Sequence, residues 1–341
     1  MANGRLLSDG RQSLKEGKTS SLPQYYSNVQ EPGSLTPISS RVDLHSHTTA
    51  SDGGLSPTEL VARAARLGVE VLAITDHDTT EGLAEAQEAA LRHQITLVPG
   101  VEISTVCGRE EIHLLGFFVD PECSELQSLL SRTREARKER AFRMLERLSN
   151  LGLPLEWQRV LDLSGGGSIG RPHVAATMLE AGYVRSFDEA FSLWIGRGCP
   201  AYVERYKLTP EDAIDLVRQS GGVAVLAHPY IFDRSQAMKK GLDLKHWLPR
   251  LREAGLCGIE AYYANYSRRT SRRLLSLAIR YGLLVTGGSD FHGGPLGVGL
   301  GGVAVPWAVW EGLERKHRLM TSKPEKQIEL ASGLTHGLAL S

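Results

Sequence analysis

RVDLHSHTTASDGG, residues 41–54, begins as a short apolar run, reaches two histidines one residue apart, and places an aspartate five positions after the second. Residues i and i+2 of an extended chain point to the same side, so His45 and His47 face one way together. The stretch reads as a strand delivering two imidazoles at its carboxyl end. Six further apolar runs follow, VEVLAIT (69–75), ITLVPG (95–100), IHLLGFFV (112–119), VAVLAHP (223–229), GIEAYY (258–263) and LLVTGGSD (283–290), separated by helical patterns. This alternation predicts an α/β fold of parallel strands with helical crossovers, either a barrel or an open sheet.

Helix starts are marked by local chemistry. Ser56-Pro57-Thr58-Glu59 combines an N-cap serine, a proline at the first helical position and a capping-box glutamate, and Thr209-Pro210-Glu211-Asp212 is a looser copy. Gly68 and Gly221 stand where those helices should stop. Between residues 121 and 203 the alternation lapses into a long helical stretch, in which Leu126, Leu129, Leu130, Thr133, Met144, Leu145 and Leu148 share one side. These positions are expected to form a helical insertion capping the sheet, with 41–120 and 204–317 as its frame. Residues 1–40, rich in Ser, Gly, Pro, Gln and Lys, are expected to be a mobile N-terminal extension, and 318–341 a loosely held C-terminal tail.

Composition narrows the functional classes. With 39 Lys+Arg against 39 Asp+Glu in 341 residues, bulk attraction to nucleic-acid phosphate is excluded as the main binding force, although a local basic pocket is not. Cys107, Cys123, Cys199 and Cys257 are scattered without C-x-x-C spacing and read as thiols of a reducing compartment. The first residues lack a secretory apolar core and no segment approaches a membrane span, so a cytoplasmic chain with neither membrane nor obligatory protein partner is expected.

Polar residues collect at the ends of the apolar runs, where α/β barrels carry their functional groups. After His45 and His47 come Asp52, His77 within Thr75-Asp76-His77-Asp78, Glu102 after the third run, His113 at the start of the fourth, His228 after the fifth, and Asp290 and His292 after the last. Imidazole with carboxylate suits Zn²⁺, Mn²⁺ and Fe²⁺, and nine such groups exceed what one ion can use. Asp43, Asp76 and Asp78 fit better as carboxylates that orient imidazoles or as loop caps. His93, His246, His317 and His336 read as surface residues.

His45-Ser46-His47, Asp52, Thr75-Asp76-His77-Asp78, Pro99-Gly100-Val101-Glu102, His113, Ala227-His228-Pro229 and Ser289-Asp290-Phe291-His292 together resemble the polymerase and histidinol phosphatase (PHP) superfamily of metal-dependent phosphoesterases, over residues 41 to about 305. The resemblance implies a distorted seven-stranded (β/α) barrel, TIM-like, holding two or three divalent ions, with Mn²⁺ favoured and Zn²⁺, Fe²⁺ or Mg²⁺ as alternatives. It implies one ion on His45, His47, Glu102 and Asp290, a second on Glu102, His113 and His228, and a third on Asp52, His77 and His292.

A phosphate monoester also needs donors around its outer oxygens. Gly165-Gly166-Gly167-Ser168-Ile169-Gly170-Arg171-Pro172-His173 offers Ser168, Arg171 and His173 beside glycines that permit close backbone approach, and Arg205 and Lys207 are further candidates. Gly170-Arg171-Pro172-His173 is similar to the insertion of a PHP branch that removes the 3′-phosphate of nucleoside 3′,5′-bisphosphates and acts on 5′ ends of short RNA; the likeness assigns Arg171 to substrate phosphate. The run 132–147, netting +4 from seven basic and three acidic residues, reads as a solvated helix face in preference to an oligonucleotide track. The expectation is a phosphatase in which a metal-bound hydroxide attacks phosphorus, with Asp52, His77 and His228 as catalytic residues and the leaving alkoxide stabilised by a metal or protonated by His228 or a water. A histidinol-phosphate phosphatase and a noncatalytic metal-stabilised binding module are the alternatives.

Overall fold

The computed structural model describes residues 40–322, apart from 108–109, 205, 207, 231–242 and 294–297. All seven apolar runs form strands: β1 (Val42–Asp43), β2 (Val71–Ile74), β3 (Thr96–Cys107), β4 (Glu110–Phe117), β5 (Val223–Leu226), β6 (Gly258–Tyr263) and β7 (Leu284–Gly288). Their spatial order is their sequence order, β1 to β7. The last strand returns to the first through Leu44 N–H to the Gly287 carbonyl (3.2 Å), Asp290 N–H to the His45 carbonyl (2.9 Å) and a parallel bridge between Ser46 and Phe291. The result is a nearly closed, TIM-like barrel. Closure demands glycine at position 288, because a Cβ there would lie 2.4 Å from the His45 nitrogen.

The expectation of uniformly parallel strands fails at one place. β3 pairs antiparallel with β4, and β4 antiparallel with β5, whereas the other neighbours are parallel. Only residues 108 and 109 separate β3 from β4, and a parallel return needs a crossover of a dozen residues or more. β3 is also longer than its apolar run suggests. Thr96–Pro99 pair with β2 and Gly100–Cys107 with β4, so Pro99-Gly100 is a change of partner inside a continuous strand, and Glu102 lies within it. A Cβ at Gly100 would meet the carbonyls of Ile74 at 2.9 Å and Gly116 at 3.0 Å.

Helices α1 (Pro57–Arg66) and α2 (Leu83–His93) cover the first strands. The Ser56 hydroxyl accepts the Glu59 N–H while the Glu59 carboxylate accepts the Ser56 N–H, forming the capping box. Between β4 and β5 lie α3 (Ser124–Asn150), α4 (Trp157–Ser164), α5 (Arg171–Glu180), and the short α6 (Phe187–Glu189) running into a π-helical turn, Ala190–Ile195. α7 (Pro210–Gln219), α8 (Leu244–Glu253), α9 (Arg268–Tyr281) and α10 (Trp307–Thr321) complete the outer layer.

α3 joins two apolar cores. Leu126, Leu129 and Leu130 pack into the main barrel core, and Ala141, Met144, Leu145 and Leu148 into a second one with Val160, Val174, Met178 and Ile195. Both ends of the frame reach further than composition indicates. Ser40 is buried and its hydroxyl donates to the Val42 carbonyl at 2.8 Å, and α10 runs to Thr321 with Val309, Trp310 and Leu313 in the main core. Residues 1–39 and 323–341 lie outside the described residues. No helix among the described residues is long and apolar enough to cross a membrane.

Candidate metal centre

Six of the seven strands aim side chains at one point on the carboxyl face, which is also where the backbone is most constrained. His228 and Asp290, directly after β5 and β7, hold φ values of 21° and 53°, and Asp78 after β2 holds 53°. Left-handed backbone at non-glycine residues costs of order 1–3 kcal/mol each and clusters at functional sites. Glu102 sits at the middle of the group. Its Oε2 lies 3.1 Å from His77 Nδ1, 3.2 Å from His47 Nε2 and 3.4 Å from His45 Nε2, and its Oε1 lies 2.7 Å from His113 Nδ1 and 2.9 Å from His228 Nε2. Asp290 Oδ1 is 3.1 Å from His47 Nε2 and 3.2 Å from His45 Nε2. On the far side, Asp52 Oδ1 is 3.3 Å from His292 Nε2 and its Oδ2 is 4.0 Å from His77 Nε2.

Glu102 Oε1 is within hydrogen-bond distance of His113 and His228, whereas the separations around Glu102 Oε2 and Asp290 Oδ1 fit coordination better than hydrogen bonding. His45 Nε2, both His47 nitrogens, His77 Nδ1, Glu102 Oε2 and Asp290 Oδ1 are buried with no hydrogen-bond partner. Each orphan of this kind costs about 1–3 kcal/mol. Ligand atoms about 2.0–2.2 Å from one ion stand about 3–3.5 Å from each other, the spacing seen here. Three groups could hold a cation: His45, His47, Glu102 and Asp290; His47, Asp52, His77 and His292; and His77, Glu102 and His113. Glu102 belongs to two of them, as a bridging carboxylate between neighbouring ions requires.

The electrostatics agree. Burial pushes the Asp52, Glu102 and Asp290 carboxyls up, but the surrounding imidazoles hold all three well below the usual carboxylate range. Burial pulls the imidazoles down, and His77 falls to about 3. Glu102 reverses that effect at His113, which rises to about 9, and Asp52 with Asp290 reverses it at His292, which rises to about 10. In the metal-free protein, imidazolium protons therefore supply the positive charge that these carboxylates demand. Other carboxylates fix the loops: Asp43 accepts from the Ser289 hydroxyl (2.6 Å) and the Gly301 N–H (2.8 Å), and Asp76 from the Thr48 N–H (2.7 Å) and the Ser51 hydroxyl (2.6 Å).

A cleft of about 130 Å³ opens beside the group, lined by Asp52, His77, Glu111 and His113 together with Arg137, Arg140, Ile169, Gly170, Arg171 and Phe191. Arg171 opens α5, lies over the Phe191 ring at 5.5 Å and reaches Glu111 at 3.5 Å. Arg137 is nearly buried; its Nε donates to Asp78 Oδ2 and one terminal nitrogen to the Ser104 hydroxyl at 2.8 Å. Asp78 is itself held by the Ser104 N–H at 3.0 Å, so this guanidinium is fixed before any ligand arrives.

A profile of the PHP domain matches residues 43–164. The 5′-3′ exoribonuclease Rnm of Salmonella typhimurium is 38% identical over 278 residues, covering 79% of this chain and 93% of the relative. The 3′,5′-nucleoside bisphosphate phosphatase of Chromobacterium violaceum is 35% identical over 257 residues, covering 74% of this chain and 87% of the relative. A solved structure from Bifidobacterium adolescentis, provisionally described as a metal-dependent phosphoesterase, superposes with a TM-score of 0.76 at 34% identity, covering 82% of this chain and 98% of its own. The chain belongs to the PHP family. It is a metal-dependent phosphoesterase, and its His, Asp and Glu clusters fit divalent cations.

The barrel of this PHP enzyme brings all nine histidines and carboxylates singled out from the sequence to one place. His228 reaches the group through Glu102 and does not border the cleft. On the substrate side, Ser168 is buried, and the His173 Nδ1 accepts the Gly170 N–H at 2.9 Å, capping α5 with that nitrogen. Of the glycines before them, Gly167 approaches backbone of the same chain, where a Cβ would lie 2.5 Å from the Thr49 carbonyl, while Gly165 and Gly166 hold positive φ in open space; Ser168 N–H donates to the Ala50 carbonyl. Gly167 and Ser168 dock the segment onto the loop that carries Asp52. Arg205 and Lys207 lie outside the described residues. The reading of 132–147 as a wholly solvated face is corrected, since Arg137 and Arg140 are buried and line the cleft. Helical spacing sets 137 and 140 on the stripe of Thr133 and Met144, so a signal of burial is present and the charge of the run masks it. His317, expected at the surface, stacks half-buried on Phe118 at 4.2 Å, whereas His93 and His246 are exposed and His336 is outside the described residues.

Proposed function

We propose that the protein hydrolyses phosphate monoesters of small nucleotides, with the 3′-phosphate of nucleoside 3′,5′-bisphosphates as its preferred target. The observation that carries this reading is the cleft, which gathers Asp52, His77 and His113 with two guanidiniums, Arg137 and Arg171. A substrate with two phosphates can place one at the cation-binding residues and the other against the arginines. The relative named as a nucleoside bisphosphate phosphatase supports that choice.

His45, His47, Glu102 and Asp290 would hold one ion, Glu102 with His113 and His228 a second, and Asp52, His77 and His292 a third. Bound divalent ions supply Lewis acidity toward a phosphoryl oxygen and lower the pKa of water to near neutrality. The remaining work falls to the chain. Asp52, buried and ionised, accepts a hydrogen bond from the attacking water and aims it at phosphorus. His77, kept neutral by burial, is free to ligate instead of repelling a cation. Arg137 and Arg171 hold the nonreacting phosphate, and α3 with α5 shields that end from water. His228, turned to Glu102, serves the ligand set and not the leaving oxygen.

A second reading has its own support: the relative named as an exoribonuclease is 38% identical, and a terminal nucleotide of short RNA offers the same pair of phosphates. Phosphate release from nucleoside 3′,5′-bisphosphates, mononucleotides and histidinol phosphate, measured beside mononucleotide release from 5′-phosphorylated oligoribonucleotides, with Mn²⁺ added, tests both. Preference for a mononucleotide or histidinol phosphate over the bisphosphate would overturn the assignment.

A further inference from the structure

β6 supplies none of the nine grouped side chains, yet it is the strand whose pairing is interrupted. Glu260 pairs with Thr286 and Tyr262 with Gly287, which leaves Ala261 as an extra residue, a β-bulge. In a regular strand, residues three apart face opposite sides. The bulge shifts that alternation, so Glu260 and Tyr263 both reach the centre. Glu260 is fully buried; its Oε1 lies 3.0 Å from His45 Nδ1 and its Oε2 accepts the His228 N–H at 2.8 Å. The Tyr263 hydroxyl donates to Asp290 Oδ2 at 2.8 Å. The two residues so gripped, His228 and Asp290, are those with left-handed backbone after β5 and β7.

We infer that Glu260 and Tyr263 are positioning residues of the metal centre, aimed by the Ala261 bulge. The inference rests on the metal-centre reading above. Glu260 takes the Nδ1 proton of His45 and so turns the Nε2 lone pair toward Glu102 and Asp290, and it holds the His228 peptide in its unfavourable conformation. Tyr263 occupies one oxygen of Asp290 and leaves the other, Oδ1, for a cation. Only a carboxylate can do the first task, because it must accept from two N–H donors at once. A glutamine has a single acceptor oxygen and would set an NH₂ against one of the donors.

The test compares wild type, Glu260→Gln and Tyr263→Phe in the full chain. Bound Mn²⁺ is measured across graded free Mn²⁺, unfolding temperature is measured in chelator, and turnover is measured at limiting and saturating Mn²⁺. Loss of such ligand-orienting contacts weakens metal affinity about ten- to a hundredfold. That loss is expected for Glu260→Gln, with a smaller one for Tyr263→Phe. Saturating Mn²⁺ should restore most of the turnover, and metal-free Tyr263→Phe should unfold at the wild-type temperature. Should Glu260→Gln not fold, Tyr263→Phe carries the test alone, since it removes one hydroxyl and keeps the ring. Wild-type Mn²⁺ affinity in the folded variants, or lost turnover with unchanged affinity, overturns the inference. A wild type that binds no Mn²⁺ overturns the metal-centre reading itself, and this inference with it.

Discussion

Asp290 shows how one side chain is shared among tasks: one oxygen meets His45 and His47, the other the Tyr263 hydroxyl, on a backbone held at a φ of 53°. Replacing it with alanine removes a ligand atom and leaves two buried imidazoles facing each other. Turnover of Asp290→Ala in Mn²⁺ is expected to fall ~10³-fold, the loss of several kcal/mol of charge stabilisation; steady-state assay with elemental analysis of bound metal checks it. Arg171 is partly exposed and weakly engaged by Glu111, so its removal should leave the fold intact. For Arg171→Ala, kcat/KM toward a nucleoside bisphosphate should drop about 10- to 100-fold, the worth of a charge-assisted hydrogen bond, with little change in Tm. Arg137→Ala should differ in kind, because it strands the buried Asp78 carboxylate and so lowers stability as well as binding.

Elements were legible where their signal is local. The seven apolar runs, the Ser56 and Thr209 caps and the inward stripe of α3 follow from side-chain period and from hydrogen bonds within one turn. Strand direction, the change of partner at Pro99-Gly100 and the bulge in β6 do not, since each depends on which neighbour the folded chain supplies. Gly100 tests the change of partner. Its Cβ position is crowded by backbone carbonyls of β2 and β4, which cannot yield as a flexible side chain would. Gly100→Ala is expected to destabilise by about 1–3 kcal/mol, the usual cost of overpacking, and to displace Glu102 two residues on. Denaturant unfolding together with Mn²⁺ binding would register both effects.

For the molecule as a whole, the centre gathers side chains from six strands, and those from β1, β2, β3 and β7 include buried atoms that lack hydrogen-bond partners. Divalent cations should therefore stabilise the folded protein strongly: a hundredfold excess over Kd adds about 2.7 kcal/mol, so chelator should lower Tm measurably in a calorimetric scan. Proton linkage gives a second expectation. His113, at about 9, and His292, at about 10, hold protons in the metal-free protein at neutral pH. A cation must displace those protons, so Mn²⁺ affinity should rise as pH rises toward those values and loading should release protons. Titration calorimetry in buffers of different ionisation enthalpy measures that release; uptake independent of pH would contradict it.

What the sequence by itself determined were the identities and order of the chemical groups: nine histidines and carboxylates at the ends of apolar runs, a glycine-rich segment with Arg171, and strand and helix periods. Imidazole and carboxylate carry their affinity for cations wherever they stand, and periodicity is a property of the chain alone. Tertiary structure alone decided which groups share an ion, that Arg137 is buried against Asp78, and that Glu260 and Tyr263 stand behind the ligands. Those are relations across the barrel between residues far apart in the chain, fixed by register, a bulge and the packing of α3, and no local pattern encodes a distance through space.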